Sequence, residues 1–412
     1  MTTWTIVIAT ALVGIIFLCA PRLYGWQLGH VHKEDGTVFL SEWTLNGWSS
    51  VTTDYTGYLH VVPRLLTALG AAGPPGWFPI IIGFLCALWR AWLTIIAFVA
   101  FRSRGIDWRW SLAAGSMFLF VPVGQQEVLG NLTNLRWFCD AGAVVILIGQ
   151  FRRFWVVLAG LTLALCALTD PLILLLFPLF LWAVIKNQRE SRFVPILGGL
   201  GALGQWLALK PSARSASDMY LNQPIESIHQ LVVRGPIEAQ YGQNGAEVAI
   251  RIAGVSIALI LIVLPAVVLF IKPRLIPIVL AISGIYLLAL TLIFADLKQI
   301  PLSSWFSVGQ ASRYAVPASI LIGAALILSY PELLKGKYRP VALLSAVLLV
   351  VAIGADATGD RYNTQGPEWS KTVSDARASC TKSGTRLIVV PLTPSGVPTK
   401  WTAKLPCTWL EK

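Results

Sequence analysis

The chain has 412 residues, of which 56% are hydrophobic and 13% are charged, and its mean hydropathy is +0.68. This composition excludes a soluble enzyme and is typical of a protein that crosses a membrane several times. A net charge of +12 is compatible with nucleic-acid binding, but much of the excess lies in short links between apolar segments, where anionic headgroups are the expected counter-charge. We therefore expect a protein that contacts membrane lipids and no nucleic acid.

The apolar segments predict an all-α polytopic fold with about eleven transmembrane helices. In chain order they cover residues 4–21, 78–101, 111–124, 138–151, 154–169, 171–185, 193–209, 248–271, 275–295, 314–330 and 340–354. Several are shorter than the roughly 20 residues that a perpendicular crossing needs, so we expect some tilted or broken helices. The first segment has no basic region before it and no small-residue cleavage pattern after it, which indicates a retained helix.

The apolar stretch 154–185 is too long for a single crossing, because it would form about 48 Å of continuous helix. Asp170 and Pro171 lie near its middle. Proline disfavours the helical conformation in the residue before it, and a carboxylate is costly in hydrocarbon. We therefore predict a break at Asp170, located at the outer surface or in a polar cavity.

The basic residues of the links predict the orientation of the chain. Five links are rich in Arg and Lys, at residues 102–109, 152–153, 186–192, 272–274 and 335–339. The positive-inside rule places all five in the cytoplasm, with the N-terminus cytoplasmic and the C-terminus extracytoplasmic. The acids that then face outside are Glu34, Asp35, Asp54, Glu127, Asp170, Asp218, Glu226 and Asp296.

The C-terminal residues 355–412 are more polar than the transmembrane core, residues 1–354. They contain Cys380 and Cys407 on either side of a strand-like run, Arg386 to Leu392. This pattern predicts a small extracytoplasmic cap that is stapled by a disulfide. The alternative is a pair of unpaired thiols.

The core has two long outer loops, residues 22–77 and 210–247, and the first carries a pair of adjacent acids, Glu34 and Asp35. A carboxylate that is partly removed from water has a raised pKa and can accept a proton from a sugar or lipid hydroxyl. The alternative is a pair of solvated loop acids. His30, His32 and Asp35 could also hold a metal ion, but no fourth ligand is apparent, and no metal site is assigned.

Residues 55–69 of the same loop have the apolar spacing of a helix in the membrane interface. His60 and Arg64, four residues apart, would lie on one side of it. Such a helix could cover a ligand cavity, or it could have a purely structural role.

Two further groups of polar residues face outside. Asn134 and Arg136 lie beside Trp137, a combination that suits carbohydrate or, alternatively, interfacial anchoring. Arg313, followed by Tyr314, could bind a phosphate near the headgroup plane or act as a snorkelling anchor. Arg90 lies near the middle of the second span; it could reach a lipid phosphate from below, but we expect it to pair with a buried acid, Asp140 or Asp170.

The order of these features resembles the GT-C superfamily of integral-membrane glycosyltransferases, over about residues 1–354. The shared features are an acid just after the first helix, a membrane-surface helix with the stretch Asp54 to Arg64, and a late Arg-Tyr-x-x-Pro at Arg313. The short C-terminal tail departs from larger members, which recognise acceptors with a large soluble domain. The resemblance implies a compact bacterial enzyme of the cytoplasmic membrane that uses polyprenyl-phosphate sugars at the outer face.

By this resemblance, Asp35, or otherwise Glu34, is the general base, and Arg313 binds the lipid phosphate. Donor-binding residues are then expected among Tyr314, His60, Arg64, Asn134, Arg136 and Asp170. The implied reaction is an inverting transfer to a glycan or lipid acceptor, with no certain cofactor, although a divalent metal is compatible with it. Two alternatives are a lipid-linked glycan polymerase or ligase, which would use outer arginines such as Arg214, Arg234 and Arg251, and a transporter or flippase.

Overall fold

The structure, a computed structural model, describes residues 3–24, 29–210, 224–254, 256–294, 312–357, 366–392 and 401–412. Over these ranges the chain is mostly helical. The helices are α1 Thr3–Tyr24, α2 Ser41–Asn46, α3 Val61–Ala71, α4 Phe78–Ser103, α5 Trp108–Gly115, α6 Gln125–Val128, α7 Leu135–Ile148, α8 Phe154–Ala167, α9 Phe177–Lys186, α10 Phe193–Ala208, α11 Pro224–Val232, α12 Glu238–Ala253, α13 Ile257–Leu261, α14 Val263–Phe270, α15 Leu275–Phe294, α16 Val316–Leu333, α17 Arg339–Asp356, α18 Trp369–Ser383 and α19 Cys407–Leu410.

Short segments of other helical types connect several of these helices. The π-helical segments are Asp35–Leu40 and Val233–Ile237, and the 3-10 segments are Gly47–Thr52, Pro75–Trp77, Ser116–Phe118, Pro171–Leu176, Glu190–Arg192 and Ser312–Ala315. Two strands, β1 (Leu387–Pro391) and β2 (Thr402–Pro406), pair antiparallel, with Leu387 opposite Pro406.

In the described part of the chain, four helices are long and apolar enough to cross a membrane: Pro75–Ser103, Leu275–Phe294, Ser312–Leu333 and Arg339–Asp356. Shorter apolar helices cover Thr3–Cys19, Val61–Ala71, Phe154–Ala167, Pro171–Lys186 and Ile257–Phe270. The expectation of a helical membrane protein is thereby confirmed. The number of eleven crossings and the orientation stay predictions.

Two of the expected spans are interrupted, and for the short span 111–124 a broken helix was expected. In the span 111–124, α5 ends at Gly115 and a 3-10 turn follows. In the span 248–271, Gly254 has a φ of +70°, a left-handed conformation that ends α12 and that glycine adopts without steric cost. The break predicted at Asp170 is present: α8 ends at Ala167, and the Asp170 carboxylate accepts a hydrogen bond from the Leu172 N–H at 2.8 Å.

Helix α16 is the axis of the bundle and packs against α5, α7 and α15. In its most apolar window 89% of the residues are buried, compared with 28% for the peripheral helix α17. The residues just before α16, Ser312–Ala315, therefore lie at the centre of one end of the bundle, where several other helices begin or end.

The helix expected over residues 55–69 begins only at Val61. Thr56 and Gly57 have φ values of +57° and +91°, and they close a turn in which Tyr55 and Tyr58 form an isolated bridge. Helix α3 then packs on α4 and on the segment Gly47–Thr52. The turn places its aromatic side chains beside His60 instead of extending the helix.

The C-terminal cap consists of α18, the β1–β2 pair and α19. Cys380 and Cys407 are at disulfide-bonding distance, with Cα atoms 5.8 Å apart, so the predicted staple is confirmed. Two tryptophans attach the cap to the core: the Trp369 indole N–H donates to the Pro75 carbonyl at 2.7 Å, and that of Trp409 donates to the Ala71 carbonyl at 3.0 Å. The extracytoplasmic location of the cap stays a prediction.

Candidate functional site

A cavity of about 400 Å³ lies where the first loop meets the ends of several helices. Helix α7 contributes residues at its N-terminal end, the 3-10 segment Ser312–Ala315 contributes residues just before α16, and α15 contributes residues at its C-terminal end. The described residues that line it are His32, Lys33, Glu34, Tyr55, Thr56, Gly57, Tyr58, His60, Glu127, Thr133, Asn134, Arg136, Trp137, Asp170, Pro171, Leu172, Leu209, Lys210, Thr291, Phe294, Arg313 and Tyr314.

Seven of the residues expected from the sequence line this cavity: Glu34, His60, Asn134, Arg136, Asp170, Arg313 and Tyr314. Residues separated by up to 280 positions in the chain are thus brought to one place. Four other lining residues were not expected in the site: His32, Lys33 and Tyr58 lie within two residues of an expected one, and Glu127 lies seven residues before Asn134.

Asp35, the general base that the resemblance implies, is buried and is not among the residues that line this cavity. Its side chain is 3% exposed, and its carboxylate accepts hydrogen bonds from the backbone N–H groups of Leu132 and Thr133, at 3.0 and 3.2 Å, and from the Thr133 hydroxyl at 3.0 Å. Burial raises the pKa of Asp35 to about 7, against the lowering effect of these hydrogen bonds. In this geometry Asp35 fixes the first loop to the segment before α7.

Glu34 is the carboxylate of the pair that faces the cavity. Its side chain is 22% exposed and lies 3.7 Å from Nδ1 of His32. The side-chain amide oxygen Oδ1 of Asn131 accepts a hydrogen bond from the backbone N–H of Asn134 at 3.2 Å. This contact orients the Asn131 side chain so that its NH2 group donates to Nδ1 of His32 at 2.7 Å. Glu34 is therefore a partly exposed carboxylate in the cavity lining, and a general base needs this access to the proton that it removes.

Arg313 is held from one side by Glu127. Its guanidinium contacts the Glu127 carboxylate at 2.5 Å, and its backbone N–H donates to the same carboxylate at 3.0 Å. It also donates to the Tyr314 hydroxyl at 3.2 Å, and its side chain remains 34% exposed. Glu127 thus orients a cation whose outer edge is accessible from the cavity.

Arg136 forms a second anchored cation. It contacts the Asp170 carboxylate at 2.8 Å, and its guanidinium lies 4.1 Å from the Trp137 ring and 5.4 Å from the Tyr58 ring. One helical turn farther along α7, Asp140 is fully buried, and its carboxylate has no hydrogen-bond partner among the described residues. Two buried acids, Asp140 and Asp170, therefore lie on the protein side of Arg136.

Aromatic rings form much of the remaining wall. Tyr58 stacks on His60 with ring centroids 4.5 Å apart, and Trp137 meets Tyr314 edge to face at 5.2 Å. Large flat apolar surfaces next to hydrogen-bonding groups suit sugar rings as well as isoprenoid chains.

Other sequence-based expectations do not correspond to this site. Arg64 is 1% exposed and forms an ion pair with Glu42 at 2.7 Å, so it is not in the cavity lining. Arg90 donates to the carbonyls of Phe118 and Leu119, at 2.8 and 2.9 Å, instead of pairing with Asp140 or Asp170 as expected. These carbonyls follow the interrupted helix α5 and supply the acceptors that a buried guanidinium needs.

His30 and His32, which the sequence offered as metal ligands, each contact a different group of the protein. The His30 ring donates to the Pro367 carbonyl at 2.9 Å, and His32 contacts Asn131. The described residues contain no group of three His, Cys, Asp or Glu side chains placed to hold a metal ion.

The arginines of the second outer loop also lie outside the cavity lining. Arg234 is buried and donates to Gln230 at 2.7 Å, and Arg251 is exposed and forms an ion pair with Glu247. Arg214, Asp218 and Asp296 lie outside the described residues.

The chain matches no protein-family model, and no curated protein is similar to it.

Proposed function

We propose that the cavity binds a polyprenyl-phosphate sugar and transfers the sugar to a hydroxyl of a glycan or lipid acceptor at the outer face of a bacterial cytoplasmic membrane. The observation that carries the proposal is the meeting of Glu34, Arg136 and Arg313 in one cavity of about 400 Å³. Its volume lies in the usual range of small-molecule sites. Two anchored cations suit a phosphate, and an accessible carboxylate suits proton transfer.

An apolar groove beside the cavity supports a lipid-linked donor. The groove has a volume of about 360 Å³ and lies between the segment 175–182 and α15, with Leu175, Leu176 and Tyr286 in its wall. Leu172, in the same 3-10 segment as Leu175, lines the cavity itself. We place the isoprenoid chain in this groove and the phosphate sugar in the cavity.

The reaction that we propose is a single displacement. The acceptor oxygen attacks the anomeric carbon, Glu34 takes the hydroxyl proton, and the bond between the anomeric carbon and the phosphate oxygen breaks. The electron pair leaves with the polyprenyl phosphate, whose charge the arginines stabilise. One displacement inverts the anomeric configuration. This assignment moves the base from Asp35 to Glu34, because the hydrogen bonds of Asp35 are already used within the protein.

The first test measures binding of a short-chain polyprenyl phosphate to the purified chain in detergent micelles. We expect Arg313→Gln to weaken binding about tenfold or more, since a charge-assisted contact is lost. Arg251→Gln removes an exposed arginine outside the cavity lining and is the control. Absence of polyprenyl-phosphate binding by the unmodified chain would refute a lipid-phosphate donor.

The second test measures sugar transfer. Membranes that contain the chain are supplied with a panel of polyprenyl-phosphate hexoses and pentoses, and the products are analysed for the anomeric configuration. Retention of configuration would contradict a single displacement. Movement of the intact lipid across vesicle membranes without sugar transfer would favour a flippase.

A further inference from the structure

A second cavity, of about 470 Å³, lies at the other end of the helices that form the candidate site. The first cavity is lined by Phe294 at the end of α15 and by Arg313 in the turn just before α16, and the second is lined by Leu275 and Leu328 at the opposite ends of these two helices. At 1.5 Å per residue these helices are about 27 to 30 Å long, which matches the hydrocarbon thickness of a membrane. The two cavities therefore lie near opposite membrane surfaces. We refer to the second as the basic cleft, lined by Arg104–Asp107, Trp110, Ile148, Trp182, Arg274–Pro277, Val279, Leu328, Pro331, Glu332 and Lys335.

The cleft has more positive than negative charge. Arg274 and Lys335 both contact the single carboxylate of Glu332, at 3.3 and 3.4 Å. Their side chains are 51% and 71% exposed. Lys272 also donates to the Glu332 carbonyl oxygen at 3.1 Å, which adds a further cation at the rim.

Arg104 is the third cation of the cleft lining itself, beside Arg274 and Lys335, and it is held in a fixed position. Its guanidinium donates to the Ile148 carbonyl and, at 3.0 Å, to the side-chain oxygen of Asn187, and it lies 5.2 Å from the Trp182 ring. Both hydrogen-bond acceptors are neutral, so these contacts orient the guanidinium without cancelling its charge. Asp107, the other acid of the lining, accepts the Arg109 N–H at 2.9 Å as the cap of α5.

The wall on the α15 side is apolar and exposed on the protein surface. Leu275 is 69% exposed and Ile276 and Val279 follow on the same helix, while Trp110 and Trp182 complete the wall. A cluster of cations next to exposed apolar surface and tryptophan is the arrangement expected for a lipid with an anionic headgroup. An isoprenoid chain without a charged group would not use the cations of the cleft. A free phosphate would not use its apolar wall.

We propose that the basic cleft is a binding site for an anionic phospholipid, separate from the candidate active site. The lipid phosphate lies against Arg274, Lys335 and Arg104, and its acyl chains lie along Leu275 to Val279. This site shares no lining residue with the first cavity, and it shares Trp182 and Val279 with the apolar groove in which we place the isoprenoid chain, so the competition with polyprenyl phosphate below is part of its test.

The proposal is tested with the purified full-length chain in detergent micelles, by counting bound lipids with native mass spectrometry. The probes are dioctanoyl phosphatidylglycerol and dioctanoyl phosphatidylcholine, with inorganic phosphate and a polyprenyl phosphate as competitors. The test variant is Arg274→Gln/Lys335→Gln. The matched control is Lys186→Gln/Arg189→Gln, which removes the same charge from two exposed residues outside the cleft lining.

We expect tighter binding of phosphatidylglycerol than of phosphatidylcholine, a loss of about tenfold or more in the test variant, and no loss in the control. Equal binding of the two lipids, or an equal loss in both variants, would overturn the site. Displacement of phosphatidylglycerol by inorganic phosphate would show a free-anion site instead, and displacement by polyprenyl phosphate only would assign the cleft to the donor. If the double variant does not fold, Lys335→Gln alone should weaken phosphatidylglycerol binding severalfold. Unchanged binding by that single variant would overturn the site as well.

Discussion

Neutralising the buried carboxylate Asp35 should lower the stability of the protein rather than remove a catalytic group. Its two oxygens accept three hydrogen bonds, from the N–H of Leu132 and from the N–H and hydroxyl of Thr133. In Asp35→Asn one oxygen becomes an NH2 group, so at least one buried donor loses its acceptor. We expect a cost of about 1 to 3 kcal/mol in the free energy of unfolding.

The pH dependence of this cost follows from the pKa of Asp35, which burial raises from its ordinary 3.8 to about 7 in the folded protein. Below about pH 4 the group is protonated in both states, and its contribution to stability is fully present. Between pH 4 and 7 the folded state holds the proton and the unfolded state does not, so stability falls as pH rises. The fall amounts to about 4 kcal/mol, from 1.36 kcal/mol per pKa unit.

The assay is the unfolding free energy of the wild type and of Asp35→Asn in detergent micelles, measured between pH 4.5 and 8. The wild-type advantage should shrink as pH rises, because the variant has no titrating group at this position, and a fall of about 4 kcal/mol is large enough to reverse its sign by about pH 7. Glu34→Gln, next to it but partly exposed, is the control: it keeps Asp35, so its own stability should still fall as pH rises, by somewhat less than in the wild type because Glu34 contributes to the raised pKa of Asp35. A wild-type advantage that is constant with pH, or that grows toward pH 8, would refute the reasoning.

Three further outcomes are expected. Glu34→Gln should lower sugar transfer about 100-fold or more without changing the apparent unfolding temperature, and full transfer by this variant would remove Glu34 as the base. Replacing Cys380 and Cys407 by serine should destabilise the cap by about 3.5 kcal/mol, because the disulfide closes a loop with a sequence separation of 27. Limited proteolysis measures this loss, and unchanged protection of the cap from the protease would contradict it. In a cysteine-accessibility scan of intact cells, Glu368→Cys should be labelled from outside and Gly336→Cys should not, and the reverse pattern would invert the proposed orientation.

The sequence by itself determined the features that depend on local chemistry. Apolar length marked α4, α15, α16 and α17 as helices able to cross a membrane, because the hydrocarbon requires about 20 apolar residues with internal hydrogen bonds. The break at Asp170 followed from the conformational limits that proline imposes on its neighbour. The pairing of Cys380 with Cys407 followed from their position in the single polar segment that contains two cysteines.

Local signals were weaker where they depended on a turn. Gly254 interrupts an apolar stretch that composition alone describes as one span, since hydropathy does not register a left-handed backbone conformation. The turn at Thr56 and Gly57 likewise delayed the start of α3 to Val61. In both cases the helical spacing of the apolar residues was present, and the backbone conformation overruled it.

Only the tertiary structure decided which charged residue faces the cavity. Glu34 and Asp35 are neighbours of the same type, but the donors that bury Asp35 come from Leu132 and Thr133, about 100 positions away in the chain. Arg313 is oriented by Glu127, nearly 190 positions away. Charge type and apolar length can be read from a sequence because they depend on composition alone. The direction of a side chain depends on partners that become neighbours only when the chain folds.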